Sequence, residues 1–282
     1  MHSPAPTWDD FVLAIDIFRD AILCGAAAGL VLGWLGVHIV LRRMVFVTAA
    51  LTQAAGLGVA LSFYAGIHLS AEVPPTVGAF GACLVASALV AARAERLLLS
   101  RESLLALAWL LSAAGAVLVG SRITQESHDI AGILFGTAVL VTPEDLRAVL
   151  GIGGAVLAAA VWWGRGFVFA GFDPNGARVQ GLPVRLLELA LLLLITLEVS
   201  AATRALGALP VFAFSVLPAM SALALTGRLS AAFPLAALFG GLAGAGGYLL
   251  AFFYDLPVGA AQVLAAALPL ALIAPYRLFR AS

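Results

Sequence analysis

Residues 184–204 read VRLLELALLLLITLEVSAATR, and this stretch decides what kind of protein the chain is. It carries Arg185 and Glu188 at one end, Arg204 at the other and a single acid, Glu198, in its interior. At a rise of about 1.5 Å per residue a helix of this length is roughly 30 Å long, the thickness of a bilayer's hydrocarbon core. The stretch therefore reads as a membrane-spanning helix. Outward from it similar apolar runs recur, and the sequence predicts spans over residues 17–40, 45–67, 76–92, 103–120, 146–164, 184–204, 208–226, 231–253 and 258–275. Hydrophobic residues make up 63% of the chain and charged residues 11%, against roughly 45–50% and about 25% in soluble globular domains. About nine helices would use about 180 residues, which leaves no room for a sizeable soluble domain. The predicted fold is an all-α polytopic membrane bundle. It comprises an external amphipathic lead-in over residues 1–20, a single transmembrane domain over 21–280 and a cytoplasmic loop over about 172–183.

The charges exclude several classes. Fifteen basic and fifteen acidic residues cancel, so no global field attracts nucleic acid. Every basic residue is Arg. Without Lys there is no Walker A loop and no Schiff-base lysine, so any ATP hydrolysis that drives this chain, with its Mg, must sit on a partner. No nucleophile–base pair is legible, and the chain reads as a non-enzyme. Cys24 and Cys83 lie inside apolar runs without CxxC spacing and read as small core residues. Residues Met1 to Thr7 lack the basic n-region of a signal peptide.

Taking alternate loops as cytoplasmic places Arg42, Arg43, Arg93, Arg96, Arg101, Arg165, Arg178, Arg185, Arg228, Arg277 and Arg280 on one side. The other side keeps Arg19, Arg122, Arg147 and Arg204. Positive charge stays inside, which predicts an outside N-terminus and a cytoplasmic C-terminus. The longest external loop, Ser121 to Asp145, has an apolar middle from Ile130 to Leu140 that is too short to cross and reads as a short external helix ended by Gly136 and Thr142-Pro143.

Gly25, Gly29 and Gly33 repeat every four residues, as do Gly240 and Gly244. Small residues at this spacing let helices approach closely in lipid. Pro210 and Pro218 interrupt the seventh span, and each leaves a carbonyl without its helical donor. Both a simple kink and a broken helix beside a transport path fit. Among polar groups, Glu198 is expected to face the bundle interior, as a path residue or a buried structural partner. Gln53 lies in the second span. His38, four residues before Arg42, reads as interfacial, and Glu188 as a helical ion pair with Arg185. His68, Glu72, His128 and Asp129 collect on the outer side without a spacing that fixes a metal geometry.

One internal loop stands out: Phe172-Asp173-Pro174-Asn175-Gly176-Ala177-Arg178-Val179-Gln180-Gly181-Leu182-Pro183. Asp173 before Pro174 signals an N-cap and first turn. Gly181 ends a helix of about two turns and Pro183 closes it. Such an element suits docking to a partner, and equally an ordinary connector.

At this loop the chain resembles the integral membrane permeases of bacterial ABC importers for zinc, manganese and related metals (ZnuB-like). The similarity runs from about Ala21 to Leu278. It rests on Gly36-Val37 to Leu41-Arg42-Arg43-Met44, Ile133-Leu134-Phe135-Gly136 with Val141-Thr142-Pro143-Glu144-Asp145-Leu146, the Asp173 to Pro183 loop, Gly207 to Pro218-Ala219, and Phe253-Tyr254-Asp255-Leu256-Pro257-Val258-Gly259. The resemblance implies a homodimeric permease in the bacterial inner membrane, surrounded by lipid, which binds two ATPase subunits and accepts metal from an external solute-binding protein. It implies that Asp173, Pro174, Gly176, Ala177, Arg178 and Gly181 form a coupling helix seated on the ATPase.

In that family the second span carries an Asp, three residues, then His, which are thought to meet the metal. Here Thr48-Ala49-Ala50-Leu51-Thr52-Gln53-Ala54 puts Ala49 and Gln53 at those places. Ala offers no ligand, and an amide oxygen is a weak one for zinc. The expectation is a divalent-metal importer subunit with a diverged path, Gln53, Glu198 and Pro218 being its candidate residues. The alternatives are a partner permease for another solute such as a metal chelate, or an ion-coupled secondary transporter using Glu198.

Overall fold

A computed structural model describes residues 7–91, 100–123 and 141–281. They form eleven helices: α1 (Trp8–Leu41), α2 (Val45–Leu69), α3 (Pro75–Ala91), α4 (Arg101–Gly120), α5 (Pro143–Trp162), α6 (Gly164–Phe172), α7 (Pro174–Val179), α8 (Val184–Leu206), α9 (Ala208–Leu225), α10 (Leu229–Tyr254) and α11 (Val258–Ala281). Each of the nine apolar runs is helical. Seven helices are long and apolar enough to cross a membrane, while Pro75–Ala91 and Val258–Ile273 are apolar but shorter. The external helix expected over 130–140 lies outside the described residues.

Local chemistry sets several boundaries. Thr7 and Asp10 form a reciprocal capping box at the start of α1, satisfying N–H groups that the first turn leaves bare. The Thr7 hydroxyl and backbone N–H hold the exposed Asp10 carboxyl below its usual pKa range. Thr142 and Asp145 repeat the box at α5, with Pro143 in the first turn. At the end of α1, Arg43 takes a left-handed conformation (φ 56°). Its N–H donates to the Val40 carbonyl and that of Met44 to the Ile39 carbonyl, which turns the chain sharply into α2.

Residues 8–20 of the lead-in are helical and continue into the first span as one α1. Phe11 and Phe18 pack on Phe252 of α10, and Trp8 on Phe253. The seventh span is likewise unbroken. Pro210 falls in the first turn of α9, and Pro218 is carried inside a helix that continues to Leu225.

The closest packing joins α1 to α10. A Cβ on Gly29 would stand 2.2 Å from the Gly240 carbonyl oxygen, one on Gly244 2.0 Å from that of Gly25, and one on Gly33 2.3 Å from that of Ala236. The glycine repeats thus interlock in antiparallel register, the arrangement that small residues permit in lipid. Gly58 of α2 and Gly78 of α3 meet in the same way. Helix α8 packs against α2, α3 and α5. Leu110, Leu111, Leu118, Leu238 and Leu242 face outward, as side chains bathed in acyl chains would.

Candidate functional site

The chain ends at one side of the bundle converge on α6 and α7. The α1–α2 turn, α6, α7, the start of α8 and the α9–α10 turn lie there, bringing Arg42, Arg165, Arg178, Arg185 and Arg228 to one face. Within it, α7 is a six-residue helix. The Asp173 carboxylate accepts the Gly176 N–H at 2.8 Å, and Pro174 occupies the first turn. At the other end Gly181 has φ +78°. Its N–H donates to the Arg178 carbonyl, and the Leu182 N–H reaches back to that of Ala177 at 3.0 Å. A left-handed glycine with these two bonds satisfies the last carbonyls and stops the helix. Asp173, Pro174, Gly176, Ala177, Arg178 and Gly181 are therefore brought together in one element.

Its inward face is Ala177, which is fully buried with Ala170 of α6 and Val184 of α8. Its outward face offers Asn175, Arg178 and Val179, the last 89% exposed. The Arg178 guanidinium donates to the Asn175 side chain at 3.2 Å, which holds that charge along the helix. A short rigid rod, anchored on one side and bare on the other, is thus presented at the bundle surface.

Helix α6 was not expected from the sequence, where the fifth span runs directly into the loop. Arg42 binds it to the end of α1 in two ways. The Arg42 guanidinium donates to the Phe167 carbonyl oxygen, and it covers Gly171 so closely that a Cβ there would lie 2.8 Å from Nε. Burial lowers the Arg42 pKa from its ordinary value, while the nearby Glu188 carboxylate raises it. Glu188 makes no ion pair with Arg185 among the described residues. His38 is buried within the protein. It is 2% exposed, with its ring centroid 4.8 Å from that of Phe233 and 5.8 Å from that of Phe167. Arg42 belongs to a stretch that carries the resemblance, but nothing local marks its contact with α6 or the role of Gly171, because the bond joins residues 125 apart.

The three candidate path residues, Gln53, Glu198 and Pro218, lie on three different helices, α2, α8 and α9. Glu198 is fully buried in α8, its carboxylate against Gly153 of α5. Neither of its oxygens has a hydrogen-bond partner. Gln53 is half-buried on α2, with Ala49 one turn earlier and also half-buried. Pro218 is buried in α9. Among the described residues no group of three or more His, Cys, Asp or Glu could hold a metal. At the opposite face, Asp145 pairs with Arg204 at 3.7 Å, a link between α5 and α8 that sequence spacing did not suggest.

The sequence profile of the ABC 3 transport family matches residues 14–276. A manganese transport system membrane protein of Halalkalibacterium halodurans is 27% identical over 257 residues, covering 91% of this chain and 86% of that protein. A chelated iron transport system membrane protein of Yersinia pestis is 27% identical over 255 residues, covering 90% and 84%. In architecture the chain is similar to a chain of PsaBC from Streptococcus pneumoniae, solved in complex with Fab. The TM-score there is 0.84 at 23% identity, and 95% of each chain is covered.

Proposed function

The chain belongs to the ABC 3 transport family, and from that premise we propose that it is the membrane-spanning permease of an ABC importer for a divalent transition metal, with manganese first and zinc next. The observation that carries this is the family match over residues 14–276, on a bundle of the same architecture. ATP is hydrolysed on a separate subunit, an external solute-binding protein delivers the cargo, and two copies of the permease enclose the path. The arginine-rich face is cytoplasmic, which puts the N-terminus outside and the C-terminus inside. In this reading α7 is the element that seats on the ATPase. Its buried Ala177 and bare Arg178 and Val179 are what a docking rod requires.

The translocation path is assigned to Gln53, Glu198 and Pro218. Gln53 lies on a half-open face of α2 where a second copy can meet it. Pro218 has no N–H to donate to the Phe214 carbonyl, which leaves an oxygen free, a ligand type that suits manganese better than zinc. Reconstitution with the ATPase and binding protein tests the proposal. Manganese accumulation that requires hydrolysable ATP is expected. An assembled complex that hydrolyses ATP without accumulating manganese or zinc would defeat it.

Ala49 and Gln53 favour a second reading. A path without the Asp and His of its family suits a metal chelate or a permease that works beside a different one, and co-purification of a second permease chain in equal amount would identify the latter.

A further inference from the structure

Helix α7 is tied to the rest of the protein on two sides. On one it runs through Pro183 into α8, and Ala177 packs on Val184 there. On the other the link runs through α6, because Ala177 is packed on Ala170, and α6 is tied to the α1–α2 turn by Arg42. The guanidinium carries five donors on a rigid fork and meets a helix carbonyl, that of Phe167. Gly171, one turn on, leaves room for it to lie flat on α6. On the other side of Arg42 the turn has little freedom. The left-handed Arg43 and the Met44 N–H bond to Ile39 at 2.8 Å lead directly to Val45, the first residue of α2. Gln53 follows on the same helix about 12 Å further along.

We propose that Arg42 is a positioning residue that transmits displacement of α7, through α6, to the α1–α2 turn and so to α2. The inference rests on the reading of α7 as the ATPase-docking element. Motion entering at Ala177 moves Ala170 and the Phe167 carbonyl as parts of short helices. The charge-assisted bond then pulls the start of α2, while the α8 connection holds the other side of α7. Without the bond, α6 keeps its packing on Leu187 of α8 and the ring contact of Phe167 with His38 but loses its polar hold on the turn, and hydrolysis on the partner moves the path-lining helix less.

The test compares the reconstituted complex containing the native chain with complexes containing Arg42→Gln, Arg42→Lys, Gly171→Ala and Val179→Asp. For each, the retained ATPase subunit, the binding-protein-stimulated ATP hydrolysis and the uptake of radioactive manganese are measured. Arg42→Gln and Gly171→Ala are expected to keep the ATPase subunit and hydrolyse ATP, while manganese taken up per ATP falls at least fivefold. Arg42→Lys, which retains a charged donor, is expected to recover part of that ratio. Val179→Asp is expected to lose the ATPase subunit. Native uptake per ATP in both Arg42→Gln and Gly171→Ala, with Val179→Asp still losing the subunit, would overturn transmission through Arg42 and leave the docking role of α7 standing. Retention of the subunit by Val179→Asp would overturn the docking role and this inference together. If Arg42→Gln does not assemble, Gly171→Ala alone decides, because it disturbs the same contact from the other helix.

Discussion

Gly29 and Gly240 meet backbone to backbone, so that a Cβ on either would fall within 2.2 Å of the other's carbonyl oxygen. Neither atom belongs to a flexible side chain that can move aside. Adding a methyl group therefore forces α1 and α10 apart along their whole interlocked face. Overpacking of this kind costs about 1–3 kcal/mol and sometimes more. Gly29→Ala and Gly240→Ala are each expected to lower the thermal midpoint of the purified protein. Gly246→Ala, where a Cβ meets nothing within 4 Å, should leave it unchanged. Fluorescence-detected size exclusion after heating reads both outcomes.

Asp145 and Arg204 join α5 to α8 on the face opposite α7. Asp145 also caps its own helix by accepting from the Thr142 N–H and hydroxyl. Asp145→Ala therefore loses a cap worth about 0.5–2 kcal/mol as well as the ion pair. Because Arg204 is 24% exposed, the pair itself is worth no more than roughly 1 kcal/mol. A double-mutant cycle is expected to return a coupling below about 1 kcal/mol, with Asp145→Ala costing clearly more than Arg204→Ala. Equal costs for the two single variants would show that the cap contributes nothing.

Features set by neighbouring residues were legible from the sequence, and features set by distant ones were not. The α7 helix could be read because Asp173, Pro174 and Gly181 act on their own backbone within one turn. The glycine repeats could be read because spacing by four places residues on one helix face whatever the partner. Helix α6 could not, since the Arg42 contact that holds Phe167 comes from another part of the chain. The surroundings of His38 were hidden for a related reason. Its distance from Arg42 speaks only to its depth, whereas Phe233 and Phe167, which enclose it, arrive from α10 and α6. Pro218 shows a third case, where neighbouring helices let α9 continue through a residue that local rules treat as a break.

The two ends of α7 make separate predictions. Asp173→Ala removes the acceptor of the Gly176 N–H and should cost about 1 kcal/mol locally. Gly181→Ala places a Cβ at φ +78°, a conformation that costs a non-glycine residue roughly 1–2 kcal/mol. A six-residue helix has no reserve against either loss. Hydrogen exchange of residues 174–182 is expected to accelerate in both variants while exchange in α8 and α9 stays unchanged. Acceleration throughout the bundle would mean that α7 is part of the global fold rather than an appended rod.

Glu198 separates stability from transport. It is fully buried beside Gly153, and neither carboxylate oxygen has a hydrogen-bond partner. Leaving a buried polar group unsatisfied costs about 1–3 kcal/mol, so removing it should relieve the fold. Glu198→Leu, close in volume, is expected to raise the thermal midpoint by a few degrees, and Glu198→Gln to change it little. Assignment to the path predicts that both variants lose at least tenfold in manganese uptake. A higher midpoint with native uptake would remove Glu198 from the path. A lower midpoint in Glu198→Leu would show that the acid is held by contacts that leucine cannot replace.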